Sequence, residues 1–335
     1  MGGEDIKVSV AMCTFNGAPF VGAQLESILT QSRMPDEIVI CDDVSTDETL
    51  EIVKKFVARC PEKFRVFRNE VNLGCCRNYE SAINRATGDV IFLCDPDDVW
   101  FPDKVVEMLG MFAANPEVVL VYCDAVIADR ELRPMGTAFN RRSEIDLRKP
   151  PTSRELRHGI AFNGPMIAFH SRLKPFVIPI SPLSMQWTPD HWIAFIAHAL
   201  GEIQVIDHPL VYYRRHDRND GGDAEFDGGL WHQWKVVKKK YSGPKASSER
   251  RRGWEDMILR LREIKGGGLK VGNPAKLDEL LQLSESCLRF AKDRESCKRK
   301  NRLARASGAL RLLLAGDYHR YARGVKSFVQ DMVIP

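Results

Sequence analysis

Three carboxylates fall within four residues in the stretch Cys94-Asp95-Pro96-Asp97-Asp98-Val99-Trp100. They follow the apolar run Val90-Ile91-Phe92-Leu93-Cys94, which reads as a buried strand between turn signals. The strand therefore delivers the acids to its own carboxyl end, the edge where open α/β sheets bind ligands. Like charges this close repel unless a cation or a positive ligand offsets them. Hard cations such as Mg²⁺ and Mn²⁺ prefer oxygen ligands and commonly share carboxylates with substrate phosphates. The plainer alternative is a solvated acidic turn ahead of a helix starting near Pro102.

A second acidic pair, Asp42-Asp43, ends the apolar run Glu37-Ile38-Val39-Ile40-Cys41. A polar break, Thr14-Phe15-Asn16-Gly17, ends the run from Ile6 to Cys13. If these strands are parallel, all three clusters share one edge. The elements needed for this are legible in order. Helices are expected over about Pro19–Gln31, from a cap at Thr46 to about Cys60, from Asn72-Leu73-Gly74 to about Ala86, and after Pro102. Further strands are expected at Phe64–Phe67 and Val118–Tyr122. Strand and helix alternate, which predicts a mainly parallel sheet flanked by helices.

The pattern is lost between Asp129 and Pro151, which reads as a loop. Pro165–His170 reads as a strand, and Thr188-Pro189 opens an apolar helix closed by Gly201. Gln204–Ile206 and Leu210–Tyr213 read as separate strand pieces ending in Arg214-Arg215-His216. Gly221–Gly229 reads as a hinge, followed only by helices. Leu277, Leu280, Leu281, Leu288 and Ala291 share one helical face, as do Tyr318, Tyr321, Val325, Phe328 and Met332.

Charge divides the 335 residues unevenly. From Trp231 to Pro335 there are 25 Lys+Arg against 11 Asp+Glu, a balance of +14, and the remainder carries −10. No apolar run approaches the roughly 18 residues of a membrane helix, and the start lacks a signal-like apolar core. Nine cysteines lie mostly inside apolar runs and form no Cys-x-x-Cys pair, as expected of a reducing, cytoplasmic setting.

The segments Val8–Gly17, Val39–Thr49, Asn72-Leu73-Gly74 and Asp95–Trp100 resemble the inverting family 2 glycosyltransferases. The likeness is strong over 6–125 and extends to about 220, nearest to rhamnosyltransferase-like members, although Pro96 departs from their Asp-x-Asp-Asp-x-Trp pattern as an unexpected x. The resemblance implies a GT-A fold, a Rossmann-like α/β nucleotide-diphospho-sugar transferase sheet. Residues 1–220 would be catalytic, with 6–125 binding the nucleotide-sugar and 126–220 facing the acceptor. Residues 221–335 would form a basic helical C-terminal region.

By the same resemblance, Asp43 reads a uracil or thymine base, with Thr14 and Asn16 lining its pocket. Asp97 and Asp98 hold the ribose and a Mn²⁺ or Mg²⁺ ion, and Asp95 binds or orients that ion. Asp190 is the general base, and its place in the first helical turn suits negative charge. His191 is the adjacent rival. Arg214 binds the diphosphate, His216 is a further metal ligand or diphosphate contact, and Arg77 reaches the phosphates.

The donor implied is a UDP- or dTDP-sugar, rhamnose by likeness alone, and the acceptor a glycan or lipid-linked glycan in surface polysaccharide assembly. The basic tail would either pack on the catalytic domain or give peripheral contact with the inner membrane face, and no nucleic acid is expected. A non-catalytic nucleotide-sugar binder is the alternative of another class. A nucleotidyltransferase fits less well, because Thr14-Phe15-Asn16-Gly17-Ala18 is not a basic glycine-rich phosphate loop.

Overall fold

The computed structural model describes residues 6–136, 163–180, 188–216, 244–267, 274–298, 302–322 and 324–333. These fall into two compact units, one holding the described residues up to His216 and the other those from Pro244 onward.

The first unit is built on eight strands: β1 Val8–Thr14, β2 Glu37–Asp42, β3 Phe64–Arg68, β4 Val90–Cys94, β5 Val99–Trp100, β6 Val118–Ala128, β7 Ile167–His170 and β8 Glu202–Arg214. Their order in the sheet is β3-β2-β1-β4-β7-β6-β8-β5. β1 pairs in parallel with β2 and β4, β2 with β3, and β6 with β8. β7 and β5 run antiparallel to their neighbours. The strand expected at Pro165–His170 is thus present but reversed, with a 3₁₀ turn, Gly164–Met166, leading into it.

Burial explains the strand sequences. Every residue of β1 and β4 is buried, so these central strands are almost continuously apolar instead of alternating, with Ser9 the one polar residue inside β1. β3, at the edge, is largely exposed and carries Arg65 and Arg68, charges that discourage further pairing.

The sheet also curls. β4 and β5 stand four strand steps apart, about 19 Å across a flat sheet. Only Asp95–Asp98 join them, and even a fully extended link of that length spans about 18 Å at most. The acidic segment therefore lies across the mouth of a partly closed sheet.

The helices are α1 Val21–Leu29, α2 Thr49–Val57, α3 Cys75–Arg85, α4 Lys104–Ala114, the short α5 Lys174–Val177, and α6 Pro189–Leu200. α3 packs on β1 and β2, while α4 and α6 pack on β6 and β8. Two local expectations are corrected. Thr46 does not cap α2: the helix starts only at Thr49, whose N–H donates to the Asp47 carboxylate, and the Thr46 hydroxyl donates to Asn16 Oδ1 at 3.3 Å. The two strand pieces expected after Gly201 form the single strand β8, whose register against β6 shifts around Asp124 and Pro209.

The second unit contains α7 Pro244–Gly266, α8 Pro274–Lys298, α9 Arg302–Leu314, α10 Asp317–Tyr321 and α11 Val325–Val333. The ion pairs Arg251–Glu295, Arg262–Glu285 and Lys265–Asp278 run in opposite senses along α7 and α8, so these helices form an antiparallel hairpin. The expected Leu277/Leu280/Leu281 face is buried there. The single stripe expected from Tyr318 to Met332 is broken instead. Gly324 adopts φ +57 between α10 and α11, so Tyr318 is buried while Val325 is 54% exposed.

Phe290, Leu312, Tyr318 and Phe328 cluster around a buried bidentate pair, Arg294–Asp331 at 2.6 and 2.7 Å, and Tyr318 donates its hydroxyl to the same carboxylate. No described helix is long and apolar enough to cross a membrane. No disulfide joins the described cysteines.

Candidate active site

Parallel pairing in register brings Thr14 opposite Asp42 and Met12 opposite Cys94. The polar loop after β1 and the two acidic clusters therefore share one sheet edge. Asp42, fully buried, organises that edge. It accepts from the Thr14 hydroxyl at 2.9 Å and from Ser45 N–H and hydroxyl. Thr14 and Asn16 shape the loops they belong to: the Asn16 N–H donates to Ser45 Oγ, and its side-chain oxygen accepts from Thr46.

Asp43 is buried with its carboxylate inside a ring of donors. Oδ1 accepts from Asn69 Nδ2 and Leu73 N–H, both at 2.8 Å, and Oδ2 accepts from Gly74 N–H at 2.9 Å. Gly74 adopts φ +76, the left-handed conformation that turns its N–H toward the acid at the start of α3. Each carboxylate oxygen accepts about two hydrogen bonds, so Oδ2 retains room for one more donor.

The acidic segment is braced differently at each member. Asp95 accepts the Tyr79 hydroxyl at 2.5 Å. Burial, reinforced by the Asp95 charge, holds that phenol well above its ordinary pKa, so it remains a donor. The Asp97 carboxylate meets His216 Nε2 at 3.0 Å, and its carbonyl accepts from Arg214 Nε at 2.7 Å. Asp98 is 1% exposed, and its Oδ1 accepts the Arg214 backbone N–H at 3.0 Å. Its Oδ2 is buried without a hydrogen-bond partner. Burial, followed by the charges of Asp97 and Asp95, raises the Asp98 pKa well above the usual carboxylate range.

Carboxylate oxygens of Asp95, Asp97 and Asp98 lie within 4.8 Å of one another. An all-oxygen donor set with one orphaned, desolvated oxygen is what a hard divalent cation would satisfy. The residues present fit such an ion.

The curl of the sheet places β8 beside this segment. Arg214 also donates to the Arg130 carbonyl, its guanidinium lies 4.9 Å from the Phe20 ring centroid, and the His216 ring stacks on Phe20 at 4.4 Å. Burial lowers the Arg214 pKa, and the Asp98 and Asp97 charges oppose that shift. Arg77 forms an ion pair with Glu80, one turn further along α3.

Asp190, buried in the first turn of α6, accepts the His191 N–H at 2.9 Å. The Asp190 charge acts on Cys76 of α3, whose thiol is pushed up to about 11, first by burial and then by that carboxylate. Cys76 and Tyr79 are three residues apart, hence neighbours on one helix face. α3 thus carries both the thiol that senses Asp190 and the phenol that holds Asp95. His191 Nδ1 instead meets Thr188 Oγ1 at 2.8 Å.

Asn69, Tyr79, Phe20 and Lys104 were not singled out by sequence reasoning. Lys104 alone left a signal there, as a lysine in line with Met108 and Phe112 on the apolar face of α4.

A curled, mainly parallel sheet with acids at its carboxyl edge defines the GT-A class of nucleotide-diphospho-sugar transferases. The same architecture occurs in S. aureus TarS residues 1–349 in complex with UDP, with a TM-score of 0.54 at 19% identity, covering 82% of this chain and 70% of that one. Residues 9–173 match the family model "Glycosyl transferase family 2". The chain carries a family 2 glycosyltransferase domain and is a glycosyltransferase.

Among curated relatives, an uncharacterised glycosyltransferase of Nostoc sp. is 29% identical over 221 residues, which span 64% of this chain and 66% of that protein. The Escherichia coli UDP-Glc:alpha-D-GlcNAc-diphosphoundecaprenol beta-1,3-glucosyltransferase WfgD is 29% identical over 112 residues, 33% of this chain and 43% of that protein.

Proposed function

We propose that this glycosyltransferase is inverting and metal-dependent, and that it moves a sugar from a uridine or thymidine diphosphate donor to an acceptor hydroxyl. The observation that carries this reading is the Asp95/Asp97/Asp98 cluster, whose buried Asp98 Oδ2 lacks a partner. Asp95, Asp97 and Asp98 would hold Mn²⁺ or Mg²⁺, with His216 adjoining through Asp97. When bound, the cation supplies Lewis-acid stabilisation of the leaving diphosphate.

The chain's own groups do the rest. The free acceptor site on Asp43 Oδ2 suits the N3–H of a pyrimidine, and the loops of Thr14 and Asn16 enclose the base. Arg214 and Arg77 offer positive charge to the diphosphate. Asp190 takes the proton from the acceptor hydroxyl as its oxygen bonds to the anomeric carbon and the nucleoside diphosphate departs from the opposite face. A rhamnose donor rests on resemblance to rhamnosyltransferase-like proteins.

The WfgD relative acts on a diphosphoundecaprenol acceptor by its name, and a lipid-linked glycan is the acceptor we favour. Residues 1–220 would catalyse, and the basic region 221–335 would attach reversibly to the cytoplasmic membrane face. Exposed Leu310, Leu314, Val325 and Val329 and the positive charge of that region support this attachment.

Screening uridine and thymidine diphosphate sugars for Mn²⁺- or Mg²⁺-dependent release of nucleoside diphosphate tests the activity. Full turnover in excess chelator would refute the metal. Co-sedimentation with anionic and neutral vesicles tests the tail, and binding indifferent to salt or lipid charge would refute attachment.

A further inference from the structure

Lys104 is the first residue of α4 and is completely buried. Both facts are unfavourable for a cation. A helix N-terminus repels positive charge, and removing an ammonium from water carries a heavy desolvation cost. Among the described residues Lys104 forms no ion pair. Its Nζ donates to the Pro165 carbonyl at 2.5 Å and lies 3.7 Å from the Trp100 ring centroid, with Phe92 at 5.8 Å. Burial pulls its pKa down to about 8, while Cys123, Cys94, Asp98 and Asp95 act in the opposite sense.

These contacts place the ammonium under the acidic segment. Trp100 closes that segment on one side. On the other, Pro165 adjoins Gly164, where a Cβ would stand 3.7 Å from Asp95 Oδ2 and 3.8 Å from the Tyr79 hydroxyl. A single bond to Pro165 thus seats the turn that backs Asp95. The positive charge also acts on Asp98, and both groups are buried.

We infer that Lys104 is a resident counter-cation: its buried charge holds the Asp95/Asp97/Asp98 cluster assembled without metal and weakens the cluster's grip on a divalent ion, keeping that ion exchangeable. This rests on reading the cluster as a cation site. Lys104 is a positioning residue, since it acts through Pro165 and through the field it applies to the carboxylates.

Thermal melts and Mn²⁺ titrations near neutral pH, on the full chain as wild type, Lys104→Met and Lys104→Gln, test this. The glutamine keeps a donor for Pro165 without the charge. A lysine that merely fills space would lower stability equally in chelator and in saturating Mn²⁺. A counter-cation predicts that Mn²⁺ raises the melting temperature of both variants more than that of wild type. It also predicts Mn²⁺ binding tighter by on the order of tenfold, the scale of a buried charge acting on a dication through protein.

Equal Mn²⁺ shifts, or weaker binding in both variants, would overturn the inference. If wild type does not respond to Mn²⁺, the cation-site reading falls. A metal-free cycle of Lys104→Gln, Asp98→Asn and the double variant then decides the remainder. Favourable coupling between the two positions keeps Lys104 as the cluster's counter-charge, and additive effects remove that role.

Discussion

Asp98→Asn tests whether the acidic segment stores repulsion that a cation relieves. Carboxylate oxygens of the cluster lie within 4.8 Å. At an effective dielectric of about 20, each like-charge pair at that range costs about 3.5 kcal/mol. The Arg214 N–H and the Lys104 charge act against this cost, leaving on the order of 1–3 kcal/mol. The sign in pH follows from Asp98, whose folded pKa is raised above its unfolded value of about 3.9. Such a group favours the folded state when protonated. Its contribution is present below the unfolded pKa and is lost as pH rises toward the folded one.

Metal-free wild type should therefore lose stability relative to Asp98→Asn at up to about 1.4 kcal/mol per pH unit from about pH 4 upward. Asparagine mimics the neutral acid and removes this slope. Urea unfolding of both proteins in chelator, from pH 4 to 8, measures the difference. Saturating Mn²⁺ should then recover stability in wild type and little in the variant, which should also lack transferase activity. A variant less stable than wild type at neutral pH in chelator, with an unchanged pH slope, would refute the reasoning.

Asp190→Asn should leave donor affinity near wild type while lowering the transfer rate by roughly 10²-fold or more; loss of donor binding in its place, measured by calorimetry, would move Asp190 into the nucleotide pocket. Val44 is β-branched yet adopts φ +65, so Val44→Asn should stabilise by about 1 kcal/mol, a rise of about 2–4 °C in a scanning melt. Asp331→Asn strands the buried Arg294 guanidinium and should cost about 3–5 kcal/mol. Adding Arg294→Met should return much of that loss in denaturant melts of the full chain.

Much of this protein is written locally. The central strands are almost continuous apolar runs because both their faces are buried, and each ends in the polar residues that make the edge. Parallel pairing then follows from the intervening helices, so the sequence alone gathers Asp42, Asp43 and Asp95–Asp98 at one edge. The helix that carries Asp190 was legible because Thr188-Pro189 and Gly201 bracket it.

What the chain could not express locally was decided by long-range closure. The curl that seats β5 beside β8 brings Arg214 and His216 to Asp97 and Asp98, more than a hundred residues away in sequence. The reversal of β7 sets Pro165 over Lys104 and Gly164 near Asp95. Desolvation has the same origin. Whether a carboxylate or an ammonium stands in water or in protein depends on what every other segment covers, so Asp98 Oδ2 without a hydrogen-bond partner, and Lys104 without an ion pair among the described residues, are properties of the packed molecule alone.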